Sequence, residues 1–229
     1  MEAPMTVTTQ NPTHTVPCAV RIAPMGLDGL LSLPEAASGI VLFAHGSGSS
    51  RLSPRNTYVA EAMQAAGLAT LLFDLLTEPE AANRARVFDI PLLADRLVMA
   101  TEWTATQPET AALPIGYFGA STGAAAALVA AARSERNIAA VVSRGGRPDL
   151  ADVHLARVRA PTLLIVGGAD HEVLDLNRGA LAQLTCEKKL AVVPGATHLF
   201  EEPGTLDDVI DLARKWFVDH LSVSKGEAN

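Results

Sequence analysis

The sequence predicts an α/β protein built on a mostly parallel sheet with helices on both faces, and three observations carry that expectation. From residue 39 onward, short apolar runs alternate with helical periodicity to the end of the chain. Such alternation is the mark of parallel strands joined by crossover helices. Several runs are continuously apolar, as in "GIVLFAHG" (39–46) and "LATLLFDLL" (68–76), the pattern of strands covered on both faces. Hydrophobic residues make up 48% of the 229 residues and aromatics only 4%, so the core must be mostly Ala, Leu and Val.

Taken in order, residues 1–15 are polar and punctuated by proline, which predicts a loose lead-in. "CAVRIA" (18–23) and "GLLSLP" (29–34) are short strand candidates joined by a turn at "GLDG". The strand at 39–46 is followed by a helix over 56–67, stopped by a glycine at its C-cap. After the strand at 68–76, "TEPEAANRARVF" (77–88) is polar and without period; it leads to a helix over 91–106 with proline in its first turn. "LPIGYFGA" (113–120) is a strand and "TGAAAALVAAARS" (122–134) a helix. "IAAVVSRGG" (138–146), "APTLLIVGGAD" (160–170) and "KLAVVPGATH" (189–198) are three more strands, with helices at 175–184 and 205–221 after the last two. Nothing in the chain resembles an internal repeat or a linker, so residues 1–229 are expected to form one domain.

The net charge of −7 and the lack of any Lys/Arg run argue against a nucleic-acid partner. Cys18 and Cys186 form no disulfide framework or C-x-x-C site and are expected to be reduced. The N-terminus lacks the basic and apolar regions of a signal peptide. The longest apolar run, "AAAALVAAA" (124–132), is too short to span a bilayer. The expectation is a soluble cytoplasmic protein with no membrane partner.

Chemistry is expected beyond the carboxyl ends of the strands, where parallel α/β sheets bind ligands. "GYFGASTGAAAAL" holds Ser121 between glycines where a strand meets a helix. That is the pattern of a nucleophile elbow, a strained turn that exposes a serine hydroxyl. Asp170 closes the strand at 160–170 and His198 the strand at 189–198. A serine hydroxyl needs a neighbouring base to take its proton, so His198 is the expected general base and then acid. Asp170 would hold the imidazole in its working tautomer. Asp175 is the rival acid, expected instead to cap the following helix. The oxyanion calls for preorganised N–H donors, expected from Thr122 and from Ser47, with Gly48 as the alternative to Ser47. His45 is expected to anchor that loop, His171 to lie at the surface, and His14, His154 and His220 to be exposed. Glu201 and Glu202 are expected to be a solvated face.

With those residues in view, "FAHGSGSS", "GYFGASTGAAAAL", "PTLLIVGGAD" and "VVPGATHLFEEPG" resemble the dienelactone-hydrolase-like branch of the α/β-hydrolases over residues 39–221. The resemblance implies an α/β-hydrolase fold and an acyl-enzyme mechanism without cofactor or metal. Dienelactone hydrolases proper carry cysteine at the elbow, and Ser121 stands there in this chain, pointing towards a general serine esterase; the expected substrate is a small ester, thioester or lactone. Relatives of this type also occur joined to a phosphoribosyltransferase domain, of which this sequence shows none. Many α/β-hydrolases insert a helical cap after the strand at 138–146; only about fifteen residues separate that strand from the next, so no cap domain is expected.

The loops "GSGSSRLSPR" and "SRGGRPDL" bring Arg51, Arg55, Arg144 and Arg147 to the catalytic rim. A guanidinium grips carboxylate or phosphate bidentately. Arg144 is the first candidate to bind an anionic group of a small-molecule ester substrate, and Arg51 the second. A dinucleotide site is disfavoured, because Arg51 stands where G-x-G-x-x-G needs its third glycine. A metal hydrolase is disfavoured by the lack of H-x-H or H-E-x-x-H spacing. Acyl transfer at the same site, or a scaffold that binds a small molecule without turnover, stay open alternatives.

Overall fold

The computed structural model describes residues 15–221. All of the expected lead-in except Thr15, and with it His14, lies outside the described residues. Eight strands form one sheet in the order β1-β2-β4-β3-β5-β6-β7-β8. The strands are β1 (Cys18–Ile22), β2 (Leu27–Ser32), β3 (Ile40–Ala44), β4 (Ala69–Phe73), β5 (Ile115–Ala120), β6 (Ile138–Arg144), β7 (Thr162–Gly167) and β8 (Lys188–Val193). β1 and β2 run antiparallel to each other, and β2 antiparallel to β4. From β4 to β8 every pairing is parallel. This is the α/β-hydrolase fold.

Successive side chains of each central strand alternate between two cores. Leu42, Ala44, Tyr117, Val141 and Leu164 join one cluster, while Val41, Phe43, Phe118, Val142 and Ile165 join the other. Helices α4 (Ile90–Thr106), α5 (Thr122–Arg133) and α6 (His171–Gln183) cover the first face. Helices α1 (Pro54–Ala65) and α7 (Thr205–Leu221) cover the second. The continuous apolar runs are explained by this double covering. Between β6 and β7 only a short 3₁₀ segment, Pro148–Arg157, intervenes, and no cap domain is present there.

Several element boundaries differ from the sequence expectation, each for a local reason. The first hairpin turns within Ala23–Gly26, not at "GLDG", so β2 begins at Leu27 and Asp28 pairs with Arg21 across the strands. Helix α1 begins two residues early because Ser53 caps it, accepting the Asn56 N–H, with Pro54 in the first turn. The polar, aperiodic stretch 77–88 holds two single-turn helices, α2 (Glu78–Ala81) and α3 (Arg84–Val87). Glu80 accepts the Thr77 N–H and pairs with Arg96. Helix α6 begins at His171, four residues before the expected start, so Asp175 lies inside it and pairs with Arg178 instead of capping.

Helix α7 docks closely because Gly116 leaves room for Phe217: a Cβ on Gly116 would stand 2.8 Å from the Phe217 ring. Phe217 is fully buried. Phe217→Ala is therefore expected to lower unfolding free energy by about 3–5 kcal/mol, the usual cost of emptying a buried aromatic site. Chemical denaturation of the two proteins measures this directly.

Candidate active site

Ser121 occupies the sharp turn between β5 and α5 with φ 51° and ψ −122°. A side chain in that region of backbone space costs about 1–3 kcal/mol, so the surroundings must hold it. They do so through both backbone groups of Ser121. Its N–H donates to the Arg144 carbonyl at 3.3 Å, and its carbonyl accepts the Arg147 N–H at 3.1 Å. The neighbouring glycines answer to space. A Cβ on Gly123 would stand 2.1 Å from the Ala44 carbonyl oxygen, and one on Gly119 would stand 2.5 Å from Ala124 Cα. Among the described residues the Ser121 hydroxyl is engaged in no hydrogen bond.

Asp170 sits at the N-cap position of α6 but does not cap the helix. Its Oδ2 lies instead 2.7 Å from His198 Nδ1. Asp170 is mostly buried and His198 half-exposed. An ionised carboxylate only accepts, so Nδ1 carries the proton and Nε2 keeps its lone pair. His198 follows a turn that Glu202 braces, accepting the Thr197 N–H at 3.1 Å and the Thr197 hydroxyl at 2.6 Å. Those bonds hold the Glu202 carboxyl below its usual range. Glu202 is thus a strut and not merely a solvated face, a role its sequence context does not reveal. Glu201 pairs with Arg55.

Ser121 and His198 line one cavity of about 520 Å³, together with Ser47, Arg144 and Gly145. The Ser47 N–H donates to Thr122 Oγ1 at 3.0 Å. The Thr122 N–H, in the first turn of α5, has no acceptor among the described residues. The two expected donors are therefore brought together, with the threonine hydroxyl bridging them.

His45 sets the orientation of the Ser47 donor. Its Nε2 accepts the Leu75 N–H at 3.1 Å, which leaves the proton on Nδ1 to bond the Gly46 carbonyl at 3.0 Å. The C=O of Gly46 and the N–H of Ser47 belong to one planar trans peptide and point in opposite directions. Holding the first aims the second. Burial pushes the His45 pKa below its ordinary value.

The four rim arginines separate clearly. Arg51 Nη1 pairs with Asp74, Arg55 with Glu201 and Arg147 with Asp149. The structure does not bring Arg51 into the cavity of Ser121: its loop turns the side chain towards β4, where Asp74 also accepts its backbone N–H. Arg144 has no carboxylate partner among the described residues. It is only 7% exposed, its Nη2 reaches Asn56 Oδ1 at 3.3 Å, and its guanidinium lies 6.0 Å from the Phe200 ring centre. Its Nε has no partner among the described residues. Lost solvation, with Arg55 nearby, lowers its pKa to about 10.

The remaining expectations fare unevenly. His171 is exposed at the start of α6. His154 is half-buried, and His220 packs on Trp216 at 4.4 Å with its Nδ1 on the Trp216 carbonyl. Neither is an ordinary exposed histidine, because each lies on the inward side of its helical segment. Cys18 and Cys186 are free. No helix among the described residues is long and apolar enough to cross a membrane.

A mostly parallel eight-stranded sheet with a strained serine at its rim is the architecture of the α/β serine hydrolases. The dienelactone hydrolase family model matches residues 27–215, and the chain belongs to that family. A dienelactone hydrolase structure from Anabaena variabilis is 56% identical, with a TM-score of 0.87 over 92% of this chain and 100% of that one. XC6422 from Xanthomonas campestris, an α/β serine hydrolase without lid, is 24% identical at a TM-score of 0.72, over 93% of this chain and 98% of that one, and shares the fold. A putative phosphoribosyl transferase of Mycobacterium tuberculosis is 65% identical over 198 residues, covering 86% of this chain. The chain spans only 45% of that relative's length.

The burial of His45 has a measurable consequence, because it outweighs the opposing effect of the Gly46 bond. In the unfolded chain His45 takes a proton near pH 6.5, and in the folded protein only at lower pH. Between those values the unfolded state binds more protons, so folding stability falls as pH falls through the window. The denaturation midpoint is expected to drop as the pH goes below 6.5, and His45→Gln to remove that component. A pH dependence identical in both proteins would show that other groups set it.

Proposed function

We propose that the protein hydrolyses small carboxylic esters or lactones through an acyl-enzyme on Ser121, with His198 as general base and acid and Asp170 as its orienting carboxylate. The observation that carries the reading is that one cavity is lined both by a strained Ser121, whose hydroxyl has no partner among the described residues, and by an Asp170-held His198. Family membership and the name of the Anabaena structure support cleavage of an ester or lactone bond. The transferase name of the mycobacterial relative belongs to a chain of which the aligned segment is less than half, and it is not carried over.

In this mechanism Ser121 Oγ attacks the acyl carbon while its proton passes to His198 Nε2, which Asp170 leaves unprotonated. The carbonyl electron pair moves onto oxygen, where the N–H groups of Thr122 and Ser47 receive it. The Thr122 hydroxyl holds the Ser47 N–H in place until the oxyanion takes over as acceptor. Collapse expels the alcohol, which leaves with the proton from His198. Water then attacks the acyl-enzyme, gives its proton to His198, and the acid departs as that proton returns to Ser121 Oγ. Arg144 is the proposed anchor for an anionic group on the substrate, since it is a buried cation with no carboxylate partner among the described residues.

A fluorophosphonate probe is expected to label Ser121, as read by mass spectrometry of the adduct peptide, and Ser121→Ala to abolish labelling. His198→Ala should lower kcat by about 10³-fold or more, as when members of a cooperating triad are removed singly. Asp170→Asn should cost about 10³–10⁴-fold, through the wrong imidazole tautomer, whereas Asp175→Asn should be silent. Arg144→Gln should raise KM for an anionic ester about tenfold more than for its neutral methyl-capped analogue. Equal effects on the two esters would assign Arg144 to loop support.

A further inference from the structure

A second cavity, of about 580 Å³, lies on the other side of the loop that carries Ser47. The two cavities share the wall Gly46–Ser50, yet they differ in charge and in reach. Among the described residues the cavity of Ser121 is lined by Arg144, by Arg55, which pairs with Glu201, and by no carboxylate. The second is lined by Asp28, Asp74 and Glu78 against Arg21 and Arg51, so carboxylates outnumber arginines. Both of those arginines are committed: Arg21 pairs with Asp28, and Arg51 with Asp74. Its apolar wall comes from Leu75, Leu76 and Leu93 with Ala81 and Val87 of the two single-turn helices α2 and α3. An anion is repelled there, and an apolar chain is sheltered.

His198 lines the first cavity and not the second. In acyl transfer the leaving oxygen must receive its proton from the general acid, which confines the alcohol part of the ester to the side of His198. The carbonyl oxygen points at Ser47 and Thr122, and the acyl substituent must leave the reacting carbon in a different direction from the alcohol. The second cavity, which shares the Gly46–Ser50 wall with the cavity of Ser121, is the neighbouring space that His198 does not line. Its size is ordinary for a small-molecule pocket.

On the serine-hydrolase reading above, we propose that the site is polarised: it accepts esters of an anionic alcohol with an apolar acid. Arg144 binds the carboxylate or phosphate of the leaving alcohol, and the acyl chain fills the cavity between the Ser47 loop and helices α2 and α3. The reaction is then transfer of an apolar acyl group from the anionic alcohol to Ser121 Oγ and on to water, with a proton delivered by His198 to the departing oxygen. Its products are a free apolar acid and a hydroxy acid or hydroxyalkyl phosphate.

The test uses the whole chain and two nearly isosteric esters that place a carboxylate on opposite sides of the scissile bond. In O-hexanoylglycolate the charge is on the alcohol; in monomethyl adipate it is on the acid. The expected result is a kcat/KM at least tenfold higher for O-hexanoylglycolate, with Arg144→Gln erasing the difference. Val87→Trp, which fills the second cavity, should lower kcat/KM for O-hexanoylglycolate tenfold or more relative to O-acetylglycolate. Ala81→Trp, at an exposed position on the same wall, provides a second variant should the first fold poorly. Equal or reversed preference between the two esters overturns the polarity. Chain-length selectivity unchanged in both Trp variants overturns the placement of the acyl group. Failure of the fluorophosphonate to label Ser121 is a separate outcome, and it overturns the serine-hydrolase reading beneath.

Discussion

The contact on which the site depends is a backbone-to-backbone approach between the end of β3 and the start of α5. Gly123 passes so near Ala44 that a Cβ would meet the carbonyl oxygen at 2.1 Å, and the His45 carbonyl at 2.5 Å. That approach draws the loop after β3 against the helix after β5. Ser47 can then reach Thr122, and Ser121 can stand between them with a positive φ. A side chain at residue 123 would wedge the two apart. The strain at Ser121 is offset by hydrogen bonds from the loop after β6, so three strand ends share the task of holding one residue.

Fixing those strand ends also fixes the electrostatics. The end of β6, which clasps Ser121 together with the loop that follows, also presents Arg144, and the loop after β3 that supplies Ser47 separates an arginine-lined cavity from one in which carboxylates predominate. His45 is the hinge pin of that divider, bonded to β4's extension through Leu75 and to the Gly46 carbonyl. Polarity on the two sides of the proposed reacting bond thus follows from how three loops are tied together. Among the described residues Arg144 has no carboxylate partner, and a buried charge without one is costly to maintain in a fold.

Much of the layout was legible in the sequence because its signals are local. Continuous apolar runs ending in glycine mark buried parallel strands, and each of the eight strands lies close to where the sequence places it. Ser121, Asp170 and His198 were visible because each follows the carboxyl end of a strand, Asp170 and His198 by a short turn past Gly167 and Val193, and the parallel topology gathers strand ends on one rim. Helix starts were less legible. Ser53 as a cap and the start of α6 at His171 depend on side-chain and chain-path choices that periodicity does not report. The stretch 77–88 hid two helical turns held by Glu80, Thr77 and Arg96, contacts made partly across sixteen residues of chain.

The sequence by itself determined the sheet, the double covering of its strands and the set of residues at its rim, since period and glycine placement act over a few neighbours. Which arginine is free was decided only by the tertiary structure. Arg51 and Arg144 look alike as rim cations in the sequence, yet Arg51 meets Asp74 across 23 positions while Arg144 is buried beside Asn56 and Phe200 with no carboxylate at hand. The brace of Glu202 on Thr197 and the bridging hydroxyl of Thr122 are of the same kind. A charge is neutralised, or a donor aimed, by whatever group the fold brings within about 3 Å, and such proximity between distant parts of a chain exists only once the sheet has assembled.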